Sequence, residues 1–261
     1  MLNPKLRLIR EHNRLYKCWM RLLWRLYGMQ SPMVLMVHGF KPTQAECKSA
    51  FEMTAASFER LMQYLIDEGW HAMAYDELVQ MIETRQWQPK HFYLSFDDIY
   101  DTVYTEAYPV LQRLNIPFTL FVTKAQVDQP SFITMSHLKA LAQNPLCTLG
   151  CHGLEHTRFR ILSAEEMTRQ CKEEKQWLES TFGKAVEIFA FPYGRIVEVS
   201  NANRRQIRKM GFSMAFSAIE GTLRAVWFTG KYFLPRVNVS ETFVARFTQG
   251  QHLRYKDCEG R

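Results

Sequence analysis

Two short segments carry the residue types from which a hydrolytic metal site is built: Ser95-Phe96-Asp97-Asp98 and His152-Gly153-Leu154-Glu155-His156. Two His at i and i+4 share one face of a helix, or of a turn of similar pitch, and so can grip one divalent cation. The adjacent carboxylates add what the imidazoles lack. One Asp can complete a three-donor set and leave a position for water, while its neighbour stays free to remove a proton. Successive residues on a strand point to opposite faces, so both Asp side chains reach one site only where a strand ends and the chain turns. The apolar run His91-Phe92-Tyr93-Leu94-Ser95-Phe96 predicts a buried strand that ends at that point.

Three further segments fall at the ends of expected strands. Phe189-Ala190-Phe191-Pro192-Tyr193-Gly194 sets a rigid Pro and a Gly around Tyr193, a turn that can present a backbone N–H to a developing oxyanion. Leu234-Pro235-Arg236-Val237-Asn238 brings a cation into an extended segment, and His38 follows the apolar run Met33–Val37. Each also has an ordinary structural reading: a turn, a salt-bridge partner, a core histidine. Glu155 inside the His pair has the look of an inverted zincin motif, but a peptidase needs its third ligand on a following helix.

The elements that must position these groups alternate. Helical patterns cover residues 54–68, 75–83, 103–114, 136–143, 164–182 and 203–210. Between and around them, residues 33–37, 92–96, 118–122, 147–151, 186–191, 214–217 and 232–239 read as strands. Ser163 with Glu166 three residues on is a capping signal for the longest helix. Strands alternating with helices predict parallel strands joined by crossovers, hence an α/β barrel-like domain over residues 31–261.

The order of the motifs, Ser-Phe-Asp-Asp, then His-x-x-x-His, then Phe-Pro-Tyr-Gly, resembles the NodB-homology polysaccharide deacetylases, carbohydrate esterase family four. The resemblance spans roughly residues 31–240 and implies an irregular (β/α) barrel with fewer than eight regular strands. It also implies an N-acetylated glycan as substrate and a divalent metal, usually zinc, as cofactor. By matching position, Asp97 would be the general base, Asp98, His152 and His156 the metal ligands, and the Tyr193 N–H an oxyanion donor. The common form of the family carries an Arg in its third motif, where this chain has Ala190 or Phe191. It also has an Asp-x-x-Asp-Trp motif and a late Leu-x-His that supplies the acid, neither of which this chain contains. In these respects the chain is similar to the branch that deacetylates poly-N-acetylglucosamine, in which a His after the first strand is typical. That likeness places Arg236 beside Asp97 and makes His38 the candidate acid, since the only late His, His252, lies in a polar tail. Gly153 stands where the family usually has Ser or Thr, which removes a hydroxyl from beside the metal ligands.

Composition bounds the rest. With 261 residues, 47% of them hydrophobic, the chain can bury one large core. The six Cys form no CxxC pair and read as reduced, buried thiols, although the Cys147/Cys151 spacing beside His152 also suggests a zinc cluster. The net charge of +7 suits an anionic partner. Much of that charge lies in residues 1–30, where Arg7, Arg10, Arg14, Lys17, Arg21 and Arg25 form one stripe of a helix and Leu8, Trp19, Leu22, Leu23 and Leu26 another face. That pattern suits peripheral contact with an anionic membrane, and no groove-reading motif points to nucleic acid. No secretory signal or spanning segment is legible, which predicts a cytoplasmic protein, peripheral at the inner face of the membrane. Two functions follow as expectations: a metal-dependent N-deacetylase of surface-glycan synthesis, or a silent glycan-binding module on the same fold.

Overall fold

The computed structural model describes residues 30–250, so the basic segment up to Met29 and His252 lie outside the described residues. The first strand, β1 (Met33–Val37), is followed by a small parallel pair, β2 (Gly39–Lys41) and β3 (Glu52–Thr54). A two-residue strand, β4 (His71–Ala72), then joins the start of β5 (His91–Phe96). From β5 the chain continues through β6 (Phe118–Val122), β7 (Cys147–Cys151), β8 (Ile188–Ala190), β9 (Met214–Glu220) and β10 (Leu234–Asn238). Each pairs in parallel with its predecessor, and both β10 and β5 pair with β1. The result is a closed seven-stranded barrel, the irregular (β/α) barrel expected from the alternation and the resemblance.

Among the described residues eight α-helices accompany the strands: α1 (Ala55–Asp67), α2 (Tyr75–Thr84), α3 (Tyr108–Leu114), α4 (Met135–Gln143), α5 (Ala164–Phe182), α6 (Asn201–Lys209), α7 (Val226–Thr229) and α8 (Glu241–Thr248). Thr54, Thr134, Ser163, Ser200 and Ser240 each accept a backbone N–H three residues on, satisfying one of the orphan donors that a helix start leaves. The helix expected over 103–114 is present and unbroken, but its first part is wound as a π turn at Val103–Ala107 that runs directly into α3. Pro109 fits that wider turn, since it has no N–H to give to the turn before it.

Strand residues divide between two cores. β1 sends Met33, Leu35 and Val37 outward to the helices and Val34 inward. Likewise β5 sends Phe92, Leu94 and Phe96 outward and Tyr93 inward. Both faces are covered, so these strands read as unbroken apolar runs in the sequence. The inner core continues into Leu78, Met81 and Ile82 of α2 and Leu223 and Val226, which close the end of the barrel where the strands begin. The other end is left for chemistry. No helix among the described residues is long and apolar enough to cross a membrane.

Candidate active site

The strand-end segments singled out in the sequence meet at the carboxyl end of the barrel. Asp97 and Asp98 follow β5, His152 follows β7, the Pro192-Tyr193-Gly194 turn follows β8, and His38 follows β1. They line one cleft of about 860 Å³ together with Phe51, Tyr100, Arg158 and Arg195.

The adjacent carboxylates reach one site because the strand stops between them. The Asp97 N–H still donates to Val37 O at 2.9 Å, as a ladder residue would, whereas Asp98 turns into the left-handed region at φ +48°. Asp97 is buried and held by Arg236 through two charged hydrogen bonds, Nη1 to Oδ1 and Nη2 to Oδ2, each 2.6 Å. Arg236 lies on the inner face of β10 and is itself buried, its Nε donating to Ser217 O at 2.7 Å. Burial alone would push the Asp97 carboxyl up. The guanidinium and His152 outweigh it and hold the group below its ordinary value.

Asp98, His152 and His156 are the one group among the described residues whose donor atoms could hold a metal ion, all lying within 4.8 Å of one another. His152 Nδ1 donates to Ala190 O at 2.9 Å, which fixes the tautomer and leaves the Nε2 lone pair facing Asp98 Oδ1 at 3.5 Å. His156 Nε2 stands 2.8 Å from the same oxygen. Even so, Oδ1 is buried with no well-formed hydrogen bond. Two imidazole nitrogens converging on a buried carboxylate oxygen without a proper donor fit a divalent cation. The His pair is presented by a turn rather than a helix, with Gly153 at φ +86° and His156 at φ +53°. Cys147 and Cys151 belong to the outer core, so the cysteine cluster suggested by their spacing does not form.

Gly194 N donates to Phe191 O at 3.0 Å and closes a tight turn with Tyr193 at φ +56°. The turn's own hydrogen bond does not use the Tyr193 N–H. A Cβ on Gly194 would lie 2.5 Å from the backbone N of Ala218, so the close approach of this turn to β9 requires glycine. The Tyr193 ring is 43% exposed and rests between the His156 ring, 4.9 Å away, and the Arg158 guanidinium, 4.0 Å away. Arg158 is anchored in turn on Glu198 at 2.6 Å.

His38 packs edge-on against Phe51 at 4.8 Å, and its Nδ1 is buried without a partner. Burial lowers its pKa against the pull of Asp97 and Asp98, so the imidazole is neutral at neutral pH. Phe51 arrives on the loop between β2 and β3, which Asn238 ties to the barrel through Nδ2 to Ala50 O at 2.6 Å.

Three contributors went unread in the sequence. Phe51 and Arg158 sit in polar loop stretches that carry no pattern. Glu174 did leave a signal: Met167, Gln170, Cys171, Glu174 and Leu178 form the buried stripe of α5, and a carboxylate occupies a position where that stripe calls for an apolar residue.

Residues 84–215 match the sequence model of the polysaccharide deacetylase family. YxkH of Bacillus subtilis, which carries the family's name, is 26% identical over 184 residues, 70% of this chain. The chain spans 64% of the length of that relative. Poly-beta-1,6-N-acetyl-D-glucosamine N-deacetylase of Staphylococcus aureus is 22% identical over 204 residues, covering 73% of this chain and 69% of that protein. Among solved structures, the deacetylase PplD of Streptococcus pyogenes, in complex with acetate, superposes with a TM-score of 0.74 at 19% identity, covering 85% of this chain and 99% of that one. IcaB from Ammonifex degensii gives 0.73 at 22% identity, over 84% and 96%. The fold is the same in each. With the motif order and the barrel, the match shows that the chain belongs to the polysaccharide deacetylase family.

Proposed function

We propose that the protein is a metal-dependent carbohydrate N-deacetylase that hydrolyses the N-acetyl group of a poly-N-acetylglucosamine-like glycan. The observation that carries this reading is the pairing of two carboxylates with different partners. Asp98 faces the two imidazoles, while Asp97, clamped by Arg236, stands 3.9 Å from His152 Nε2 and outside the donor set. A glycan-binding module would have no use for a second buried carboxylate kept apart from the metal ligands.

A divalent cation, zinc by preference for an Asp-His-His set, would be held by Asp98, His152 and His156 and would supply Lewis acidity to a water and to the acyl oxygen. Asp97 accepts the proton of the attacking water on an oxygen whose other lone pair is occupied by Arg236. Arg236 keeps that carboxylate in one plane and charged. The Tyr193 N–H donates to the oxygen that becomes negative when the acyl carbon turns tetrahedral. His38, neutral at rest, takes up a proton from solvent and passes it to the amine nitrogen as the C–N bond breaks, and Asp97 returns the water's proton to solvent, leaving the free amino sugar and acetate. The ring of Tyr193, fixed by Arg158 and His156, offers a flat apolar surface beside the reacting group.

The test is acetate release from β-1,6-linked N-acetylglucosamine oligomers by the full chain. Release that is lost on chelation and restored by zinc or cobalt supports the reading. Stoichiometric zinc without acetate from any N-acetylated sugar in a panel would replace it with the glycan-binding module. For His38, the expected result of His38→Ala is a fall in kcat of about a hundred- to a thousandfold, with zinc content unchanged by metal analysis. Full turnover in that variant removes His38 from the mechanism.

A contact of residues 1–30 with anionic membrane and a site of action at the inner membrane face belong to the same proposal. Liposome flotation of the chain with and without those residues tests it, and equal binding by both forms overturns it.

A further inference from the structure

The loop that carries both imidazoles is held from below by a residue with no part in the chemistry above. Glu174, on α5, is fully buried. Its Oε2 accepts the Gly153 N–H at 2.7 Å, one residue after His152. Its Oε1 has no hydrogen-bond partner, and burial pushes the carboxyl up to about 8 although the Lys124 backbone, just past β6, lies close enough to oppose the shift. One side chain thus sits between the ends of β6 and β7 and holds the second of them directly beneath the candidate metal ligands. Gly153 makes that grip necessary. At φ +86° it occupies a conformation that few side chains tolerate, and a Cβ there would lie 3.2 Å from Pro192 Cγ, against the turn that presents Tyr193. A chain bent so sharply, with its N–H pointing into the protein, needs a buried acceptor. A hydrophobic residue at position 174 would complete the α5 stripe but leave that N–H unsatisfied. Other anchors hold the flanks of Gly153: the His152 N–H donates to Val122 O at 2.8 Å and its Nδ1–H to Ala190 O at 2.9 Å, Ala125 N–H donates to Leu154 O at 3.0 Å, and Gln170 Nε2 donates to Glu155 Oε2 at 3.2 Å, but none of them takes the Gly153 N–H.

We propose that Glu174 is a positioning residue for the metal ligands: its carboxyl oxygen fixes the backbone at Gly153, and thereby helps set where His152 and His156 point. This inference rests on the reading of Asp98, His152 and His156 as a cation site.

The experiment measures zinc affinity by chelator competition, and the visible spectrum of the cobalt-loaded protein, for wild type, Glu174→Gln, Glu174→Met, Glu174→Asp and His152→Ala. Glu174→Gln keeps an oxygen for the Gly153 N–H, and its affinity and cobalt spectrum are expected to stay close to wild type. Glu174→Met keeps the volume but not the acceptor and is expected to bind zinc about ten- to a hundredfold more weakly, with an altered cobalt spectrum. Glu174→Asp draws the acceptor back by one methylene, is expected to weaken binding in the same direction, and serves as the readout if the Met variant does not fold. Wild-type affinity in Glu174→Met, or in Glu174→Asp where Met fails to fold, overturns the proposal, as does an equal loss in Glu174→Gln. The His152→Ala arm separates the two ideas. Loss there with wild-type binding in the Glu174 variants refutes the positioning role alone, whereas zinc binding unaffected by His152→Ala refutes the metal site itself.

Discussion

Asp97→Asn is expected to remove acetate release almost completely while the protein still binds one equivalent of zinc. The substitution preserves shape but takes away both the proton acceptor and the negative charge, and loss of a positioned base costs about 10²- to 10⁴-fold in rate. The metal should stay, because Asp97 lies outside the set formed by Asp98, His152 and His156. Asp98→Asn should do the reverse and lose the metal first. Asp97→Asn also leaves the buried Arg236 facing an amide, whose NH₂ group opposes one of its own donors. Breaking a buried pair in this way costs about 3–5 kcal/mol, so turnover and zinc content must be compared well below the lowered melting temperature. Zinc analysis beside an acetate assay separates the two Asp roles. An Asp97→Asn protein that keeps turnover within tenfold of wild type would show that another group takes the proton.

How far the sequence led depends on whether the relevant pattern was contiguous. β6, β7 and α5 begin and end where hydrophobic pattern and the Ser163 cap put them, because α5 is long and stopped by Gly183 and each of the two short strands follows closely on a proline, Pro117 or Pro145. The two Asp and the two His were legible for a similar reason: each pair is local, and the barrel needs only to bring two strand ends together. Arg236 is a harder case, since its partner is 139 residues away and only the family likeness suggested the pairing that the structure contains. The β2–β3 pair escaped notice because two three-residue parallel strands bear no period, and α8 because its eight residues lie close to the chain's end. Glu174 was hidden by its neighbours. Within Cys171-Lys172-Glu173-Glu174-Lys175 it looks like one more exposed charge of an amphipathic helix, until the faces are counted and it falls on the apolar one.

Arg236→Met is expected to be among the most destabilising single substitutions in the chain, despite replacing a polar core residue with an apolar one. Methionine fills much of the space, but Asp97 remains buried with its two strongest hydrogen bonds gone, and Ser217 O loses the Nε donor. A buried carboxylate without its partner costs about 3–5 kcal/mol, which for a domain of this size lowers Tm by about 6–20 °C. Lysine cannot rescue it fully. A single ammonium carries the charge but cannot meet both carboxylate oxygens in one plane, so Arg236→Lys should fall between wild type and Met in Tm. The decisive comparison is the double variant Asp97→Asn/Arg236→Met. Once both charges are gone no ion is left stranded, and its loss of stability should be smaller than the sum of the two single losses by at least about 2 kcal/mol. Thermal or urea unfolding of the three proteins measures that difference. Additive losses would mean that the two residues act independently, and the clamp on Asp97 would then have no energetic content. With strong coupling, the rate defect of Arg236→Met, measured at a temperature where it is folded, reports how much of the reaction depends on Asp97 being held in place rather than merely present.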